Sequence, residues 1–398
     1  AHTANHIVRP RALRLVRADT QRLCTKYQAN TGRIEGMRVA YSLEQCWHRV
    51  PGGTATAAIE VARVLPGLRR DIELVGFAGR HNLAPQGAYQ PPINVQHLAL
   101  GGPALYESSM RFGWPKVESA TGKVDLLHCT SIIPFATNAK LVATIHDLAF
   151  LKYPQFFSRR GNSVFRRSLK ILLRRADMLL CSSQATLEDC TEFGFSPDRL
   201  SHVPLGVSAP MVMTTRDQIK SRYRLPENYL LFVGTLEPRK NLSQLIAALE
   251  TLGDSVPELV VVGATGWGDV SQVADFSSSV KSRVHFAGFV QPGDLGAIYK
   301  AAEVLCYPSL MEGFGLPILE AMSYGTPVVT SKGSSTQEVA GNAAVLVDPL
   351  DVASIADGVL QAIRHRSELS RLGLARASEM TWQATATKTA EVYERVVR

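Results

Sequence analysis

Short apolar runs alternate with helix-patterned stretches along this chain, and the alternation restarts about halfway. That rhythm leaves few folds open. Strand, helix and strand in succession pack as a parallel sheet covered by helices, and two such series make two sheets. In the first half strands are expected at 37–42, 72–77, 124–128, 141–145, 178–181 and 200–203, with helices at 54–65 and 164–175. In the second half strands are expected at 229–233, 259–262, 284–287, 304–307, 327–330 and 344–347, with helices at 241–249, 316–324, 351–371 and 382–397. A length of 398 residues suits two domains. The expected division is a basic N-terminal extension at 1–36, disordered or artefactual, and an α/β Rossmann-like domain at 37–208. A linker without strand pattern follows at 209–224, then a second Rossmann-like domain at 225–378 and a last helix at 379–398. In open α/β sheets ligands bind beyond the carboxyl ends of the strands. Two facing sheets therefore predict a cleft for a two-part substrate, donor on one wall and acceptor on the other.

Composition narrows the partners. Apolar residues make up 45% and charged residues 20%, an ordinary globular balance. The net charge of +8 owes much to Arg9, Arg11, Arg14, Arg17, Arg22, Lys26 and Arg33 of the extension, set against Asp19 and Glu35. The rest is only mildly basic and carries no aromatic-interleaved basic module, so no nucleic-acid partner is expected. None of Cys24, Cys46, Cys129, Cys181, Cys190 and Cys306 forms a C-x-x-C pair or a zinc-type cluster. They read as reduced, buried thiols in a cytoplasmic protein. No run reaches the ~18 apolar residues of a membrane span, and the basic start lacks a secretory apolar region.

Four segments carry chemistry. In Ser309–Val329 (SLMEGFGLPILEAMSYGTPVV), Gly313 and Gly315 let backbone approach a ligand closely, and the following helix start offers free amides to an anion. Glu312 and Glu320, eight apart, are expected to face one bound molecule at different depths, accepting hydrogen bonds from sugar hydroxyls. In Leu231–Asn241 (LFVGTLEPRKN), a strand ends at Gly234, and Arg239 and Lys240 precede a helix, where they would neutralise a diphosphate. In Leu141–Phe150 (LVATIHDLAF), a buried-type strand delivers His146 and Asp147 at its carboxyl end, and His146 is expected to donate a hydrogen bond to the transferring sugar or the diphosphate. In Pro51–Thr54 (PGGT), Gly52 and Gly53 are expected to line the cleft near the acceptor or the diphosphate. No D-x-D triplet occurs, so no metal and no cofactor are expected, the paired cations standing in for the metal.

These segments resemble a known family. E-G-F-G-L-P-I-L-E looks like the E-x7-E motif of retaining glycosyltransferases of family GT4, and G-T-L-E-P-R-K-N and I-H-D-L-A-F resemble its other two signatures. The resemblance runs from about Met37 to the C-terminus. It implies a GT-B fold, with the nucleotide held mainly by the second domain and the last helix crossing back to the first. It further implies that Glu320 binds the donor ribose and that Glu312 and the backbone of Phe314, Gly315 and Leu316 contact the donor sugar and phosphates. Arg239 and Lys240 would hold the diphosphate beside Gly234 and Thr235, with His146 near the reacting carbon. Many members carry Arg directly after the glycine of the second signature. This chain has Thr235 there, so Arg239 must compensate.

The implied activity is transfer of a hexosyl group, with retention and without metal, from a nucleotide-sugar to a hydroxyl acceptor. The H-D-L-A-F-L-K-Y-P-Q-F-F segment resembles the mannosyltransferase branch, which puts GDP-mannose first and a UDP-sugar second. A GT-B-fold epimerase, a phosphorylase and a nucleotide-binding protein without catalysis remain alternatives. Finally, residues 159–175 hold seven cations (Arg159, Arg160, Arg166, Arg167, Lys170, Arg174, Arg175) and no acid. That helix either turns one solvated face outward or lies on an anionic membrane or lipid-linked acceptor, which would place the protein at the inner face of the membrane.

Overall fold

The computed structural model describes residues 36–208, 211–263 and 276–398. The basic extension up to residue 35, with Cys24, and the first part of the expected linker lie outside the described residues. Two all-parallel sheets form. The first contains β1 (Met37–Ser42), β2 (Ile72–Ala78), β3 (Val95–His97), β4 (Leu126–Cys129), β5 (Lys140–Ile145), β6 (Met178–Cys181) and β7 (Leu200–His202), in the order β3-β2-β1-β4-β5-β6-β7. The second contains β8 (Tyr229–Val233), β9 (Glu258–Val262), β10 (Val284–Gly288), β11 (Val304–Tyr307), β12 (Val328–Ser331) and β13 (Val345–Val347), in the order β10-β9-β8-β11-β12-β13. Central strands such as β6 (MLLC), β8 (YLLFV) and β11 (VLCY) are buried at every position. Helices cover both faces of each sheet, which is why these runs are continuously apolar rather than alternating. Each sheet reverses its strand order once, between β1 and β4 and between β8 and β11, and ligands of such sheets sit at that reversal.

The first sheet is covered by α1 (Gly52–Leu68), α2 (Gly102–Phe112), α3 (Arg159–Arg175) and α4 (Gln184–Phe193). After the connection come α5 (Arg216–Tyr223), α6 (Leu242–Leu252), α7 (Pro292–Ala301), α8 (Leu316–Ser323), α9 (Ser335–Ala340), α10 (Val352–Arg364), α11 (Arg366–Glu379) and α12 (Trp382–Val397). Expected and observed boundaries differ where local chemistry decides. α1 starts at Gly52, whose φ of 61° suits glycine. β3 (VQH) is a short edge strand without an apolar run. The expected helix 351–371 breaks at His365 into two. The stretch expected as linker carries α5, too polar to read as a core helix. It is started by a Thr215–Gln218 capping box and held to α7 by Arg222 and Tyr223 on Asp294.

α12 leaves the second domain and packs into the first. Its Ala386, Ala390, Val392 and Tyr393 share a core with Val39, Leu65, Leu126, Val142 and Leu180. The Tyr393 hydroxyl meets His128 Nδ1 at 2.6 Å, and His128 Nε2 meets Thr144 Oγ1 at 2.8 Å. The chain thus crosses twice between domains, and the crossings touch where Val207 bridges to Thr381.

Burial, then the nearby His146, push the His128 imidazole down to about 3 from an ordinary 6.5. The unfolded chain therefore binds a proton that the native state refuses. Stability is unaffected above about pH 6.5 and is expected to fall by ~1.4 kcal/mol per pH unit as pH drops towards 3. Urea midpoints of the native protein and His128→Asn between pH 7 and 4 check this, and a flat native profile would contradict it.

Candidate active site

The second domain's two motifs flank its strand reversal. β8 ends at Val233 and is followed by Gly234, whose N–H donates to the Val262 carbonyl at 2.9 Å and whose φ of 154° lies outside the ordinary range for side-chain-bearing residues. A tight turn at Pro238–Lys240 follows, then Asn241 and α6. β11 ends at Tyr307 and leads into the loop carrying Glu312. Gly315, at φ 112°, occupies the cap position of α8 and Leu316 begins it, so the first amides of α8 remain outside its hydrogen-bond ladder.

Arg239, Lys240 and Glu312 converge into one buried cluster. Glu312 accepts from Arg239 Nη1 at 2.8 Å, lies 2.7 Å from Lys240 Nζ, and accepts from the Tyr307 hydroxyl at 3.0 Å. Lys240 is 7% exposed and Glu312 8%. Burial alone would raise the Glu312 carboxyl, but the Arg239 and Lys240 charges hold it down to about 2. Burial also lowers the Lys240 ammonium, partly against the pull of Glu312. Arg239 is gripped on its other side by Glu237 at 2.7 Å, and Glu237 in turn accepts from Thr235 Oγ1 at 2.7 Å. Thr235 therefore acts here through Glu237, as a brace for Arg239. Arg239 and Lys240 are brought together at the second strand reversal. They are ion-paired with Glu312 rather than standing free, because a buried ammonium or guanidinium without a counter-charge is prohibitively unfavourable.

Glu320 projects from α8 and accepts from the Tyr299 hydroxyl at 2.7 Å. Burial raises its carboxyl despite that bond. The carboxyl's one hydrogen-bond partner among the described residues is Tyr299, and none of Arg239, Lys240 and Glu312 contacts it. The Phe314 side chain is buried in the second-domain core, leaving only its backbone to meet a ligand.

The first domain supplies the opposite wall. His146 and Asp147 follow β5. The Asp147 charge acts on Arg239 across the domains, and its Oδ1 accepts from the Ala149 N–H at 3.0 Å. Burial lowers the His146 imidazole, opposed by its contact with Thr130 and by Asp147. Its Nε2 lies 3.3 Å from the Thr130 carbonyl. A ring nitrogen facing a carbonyl carries the proton, so the neutral ring has its acceptor at Nδ1. Gly53 packs against Leu316, where a Cβ would lie 3.2 Å from Leu316 Cδ1, so the first turn of α1 and the start of α8 also face each other.

Gly313 touches His146 so closely that a Cβ would lie 2.1 Å from the His146 carbonyl oxygen. Sequence reasoning missed what fastens this contact. Ser182 Oγ donates to the carbonyl of His146 at 2.8 Å or of Gly313 at 3.0 Å, and Thr186 Oγ1 lies 3.0 Å from the His146 carbonyl. Glu338 of α9 accepts from the Gln184 N–H at 2.8 Å and lies 2.9 Å from His202 Nε2. The available signal was the Ser182–Ser183 pair directly after an apolar strand, at the sheet edge where ligand-facing groups gather.

Two facing Rossmann-like domains with a buried cation pair at the second strand reversal define a glycosyltransferase of the GT-B type. Residues 51–209 match the model of Glycosyltransferase Family 4, and residues 214–377 that of Glycosyl transferases group 1. The O-antigen chain mannosyltransferase B of Escherichia coli is 31% identical over 268 residues, 64% of this chain and 70% of that protein. The MMP alpha-(1->4)-mannosyltransferase of Mycolicibacterium hassiacum is 32% identical over 248 residues, 60% of this chain but only 59% of that protein. Among solved structures, sucrose-phosphate synthase from Thermosynechococcus elongatus superposes with a TM-score of 0.70 at 20% identity, over 90% of this chain and 98% of that one. Anabaena HepE in complex with UDP-glucose does so at 0.67 and 19%, over 90% and 100%. The chain belongs to the group 1 glycosyltransferases, which move a glycosyl group from a nucleotide-sugar donor to an acceptor and release the nucleotide. Among the described residues no helix is long and apolar enough to cross a membrane.

Proposed function

We propose that the protein transfers a mannosyl group from GDP-mannose to a hydroxyl acceptor, in glycan, glycolipid or glycoside synthesis, with retention of configuration and without a metal ion. The observation that carries this reading is the buried Arg239–Lys240 pair at the second strand reversal, opposite His146. Both proteins aligned above are named as mannosyltransferases. Fixed cations aimed at a departing diphosphate stabilise the charge that grows in the transition state. The diphosphate competes with Glu312 for Lys240, and the released Glu312 carboxylate turns to the sugar hydroxyls. The bond from the anomeric carbon to the diphosphate oxygen breaks, the acceptor oxygen bonds on the same face, and its proton passes to the leaving phosphate. His146, neutral, accepts a hydrogen bond from the sugar. Glu320 holds the ribose. The lack of a D-x-D triplet supports metal independence.

The test is a donor screen by hydrolysis and thermal protection, with and without EDTA, and NMR assignment of the released anomer. GDP-mannose is expected to protect, and to be cleaved equally in EDTA with its α-configuration kept. Protection by a UDP-sugar alone would overturn the donor, loss of activity in EDTA would overturn metal independence, and conversion of the donor to an isomeric nucleotide-sugar would point to an epimerase. Glu320→Ala is expected to weaken donor affinity roughly tenfold or more, since hydrogen bonds to a charged group are worth ~1.5–3 kcal/mol. Unchanged thermal protection in that variant would remove Glu320 from the ribose.

A further inference from the structure

The basic helix α3 and the end of α2 form a surface that the transfer reaction leaves unused. Arg159, Arg166, Lys170 and Arg174 follow one another at spacings of seven, four and four, which puts them on one stripe of the helix. Leu169 and Leu172, on the opposite face, are buried in the first-domain core. Arg159, Arg160, Lys170 and Arg174 have no hydrogen-bond or ion-pair partner among the described residues. Arg167 and Arg111 share Glu107, at 2.6 and 2.8 Å, so the acid bordering this face is already neutralised.

Three further observations point to an anionic partner. First, Arg159 and Arg160 stand in the first turn of α3, which holds no acid. Cations there oppose the helix dipole, an arrangement that an anion seated over the turn would relieve. Second, a groove of about 650 Å³ opens along the stripe, lined by Pro154, Phe157, Arg159, Arg166 and Lys170 among others. A second groove brings Arg160 and Arg167 beside Phe112. Third, two aromatics stand out at the end of α2. Phe112 is 78% exposed and Trp114 54%. An exposed Phe112 beside the unpaired Arg160, with exposed Trp114 two residues further on, fits the interfacial layer of a bilayer, where rings enter the headgroup region while cations meet lipid phosphates.

We propose that this face docks the protein on the surface of an anionic lipid bilayer. Phe112 and Trp114 enter the headgroup layer, and Arg159, Arg160, Lys170 and Arg174 meet lipid phosphates. The placement has a consequence for the site. α3 connects β5 to β6 in a parallel sheet, so it runs antiparallel to the strands, and its first turn lies at the sheet edge that carries His146. Asn162 in that turn bonds the Phe150 carbonyl at 2.9 Å, four residues beyond His146. A docked surface therefore borders the cleft mouth.

The experiment is co-sedimentation of the full chain with phosphatidylglycerol-containing vesicles and with pure phosphatidylcholine vesicles, at low and high salt, together with Trp fluorescence. Binding to the anionic vesicles only is expected, weakened at least tenfold by high salt, with a blue shift that disappears in Trp114→Phe. Each cation near an anionic surface is worth roughly fivefold in affinity. The triple variant Arg159→Glu, Lys170→Glu, Arg174→Glu is therefore expected to bind about 100-fold more weakly while hydrolysing donor in solution at the native rate. Phe112→Ser with Trp114→Ser is expected to bind about tenfold more weakly. Absence of anionic-vesicle binding at low salt would overturn the proposal, as would equal binding by the triple variant. Equal binding by the aromatic variant, with capture of a single-stranded nucleic acid as tight as that of vesicles, would instead mark the face as a general polyanion site and also overturn it.

Discussion

Lys240→Met is expected to lower turnover of the donor by about 10²–10³-fold, the loss typical when one fixed donor to a developing anion is removed. Methionine keeps the aliphatic stem that packs against Gly234, where a Cβ would lie 3.4 Å from Lys240 Cε, so the change is chiefly one of charge. A second effect accompanies the first. Glu312 would keep Arg239 but lose the ammonium 2.7 Å away. Breaking a buried pair costs ~3–5 kcal/mol, and the remaining guanidinium puts this case at the low end. A thermal melt therefore reads out the structural part and single-turnover hydrolysis the electrostatic part. Native turnover in a destabilised variant would mean that Lys240 serves only to neutralise Glu312.

Gly313→Ala is expected to reduce kcat/KM by about 10²-fold without unfolding either domain, the scale expected when reacting groups are displaced by about 1 Å. The added Cβ meets the His146 carbonyl oxygen at 2.1 Å and its carbon at 2.7 Å. Both are backbone atoms that cannot swing aside, so the two walls must part. The Ser182 hydroxyl, within reach of both carbonyls, would lose one of them. Gly67→Ala is the matched control. Nothing lies within 4 Å of its added Cβ and it sits inside α1, so native kinetics and slightly raised stability are expected. Small-angle scattering of the two variants distinguishes opening from local distortion, and native kinetics in Gly313→Ala would show that the contact is dispensable.

Much of the architecture was legible because each central strand is buried on both faces and so appears as an unbroken apolar run. Elements whose burial is partial were not. β3 covers an edge with three residues, and α5 fully buries only Ile219. At the site, residue type and position gave the cluster of Arg239, Lys240 and Glu312, since few chemistries need two cations at a helix start across from a carboxylate loop. Their mutual neutralisation was not legible, because it depends on the depth of the turn below the surface. Nor were Ser182, Thr186 and Glu338, whose meaning arises only when the second domain is brought against the first. The tautomer of His146 follows from the Thr130 carbonyl, sixteen residues away in sequence.

The position of α12 bears on how the polypeptide can be made. The slot beside Val39, Leu126 and Leu180 is filled by Ala386, Ala390 and Tyr393, which are synthesised only after the whole second domain. Until then a nascent N-terminal half carries an open greasy seam and is a ready client for chaperones. Expressing that half by itself should give aggregates, whereas supplying the final segment as a separate peptide should restore solubility.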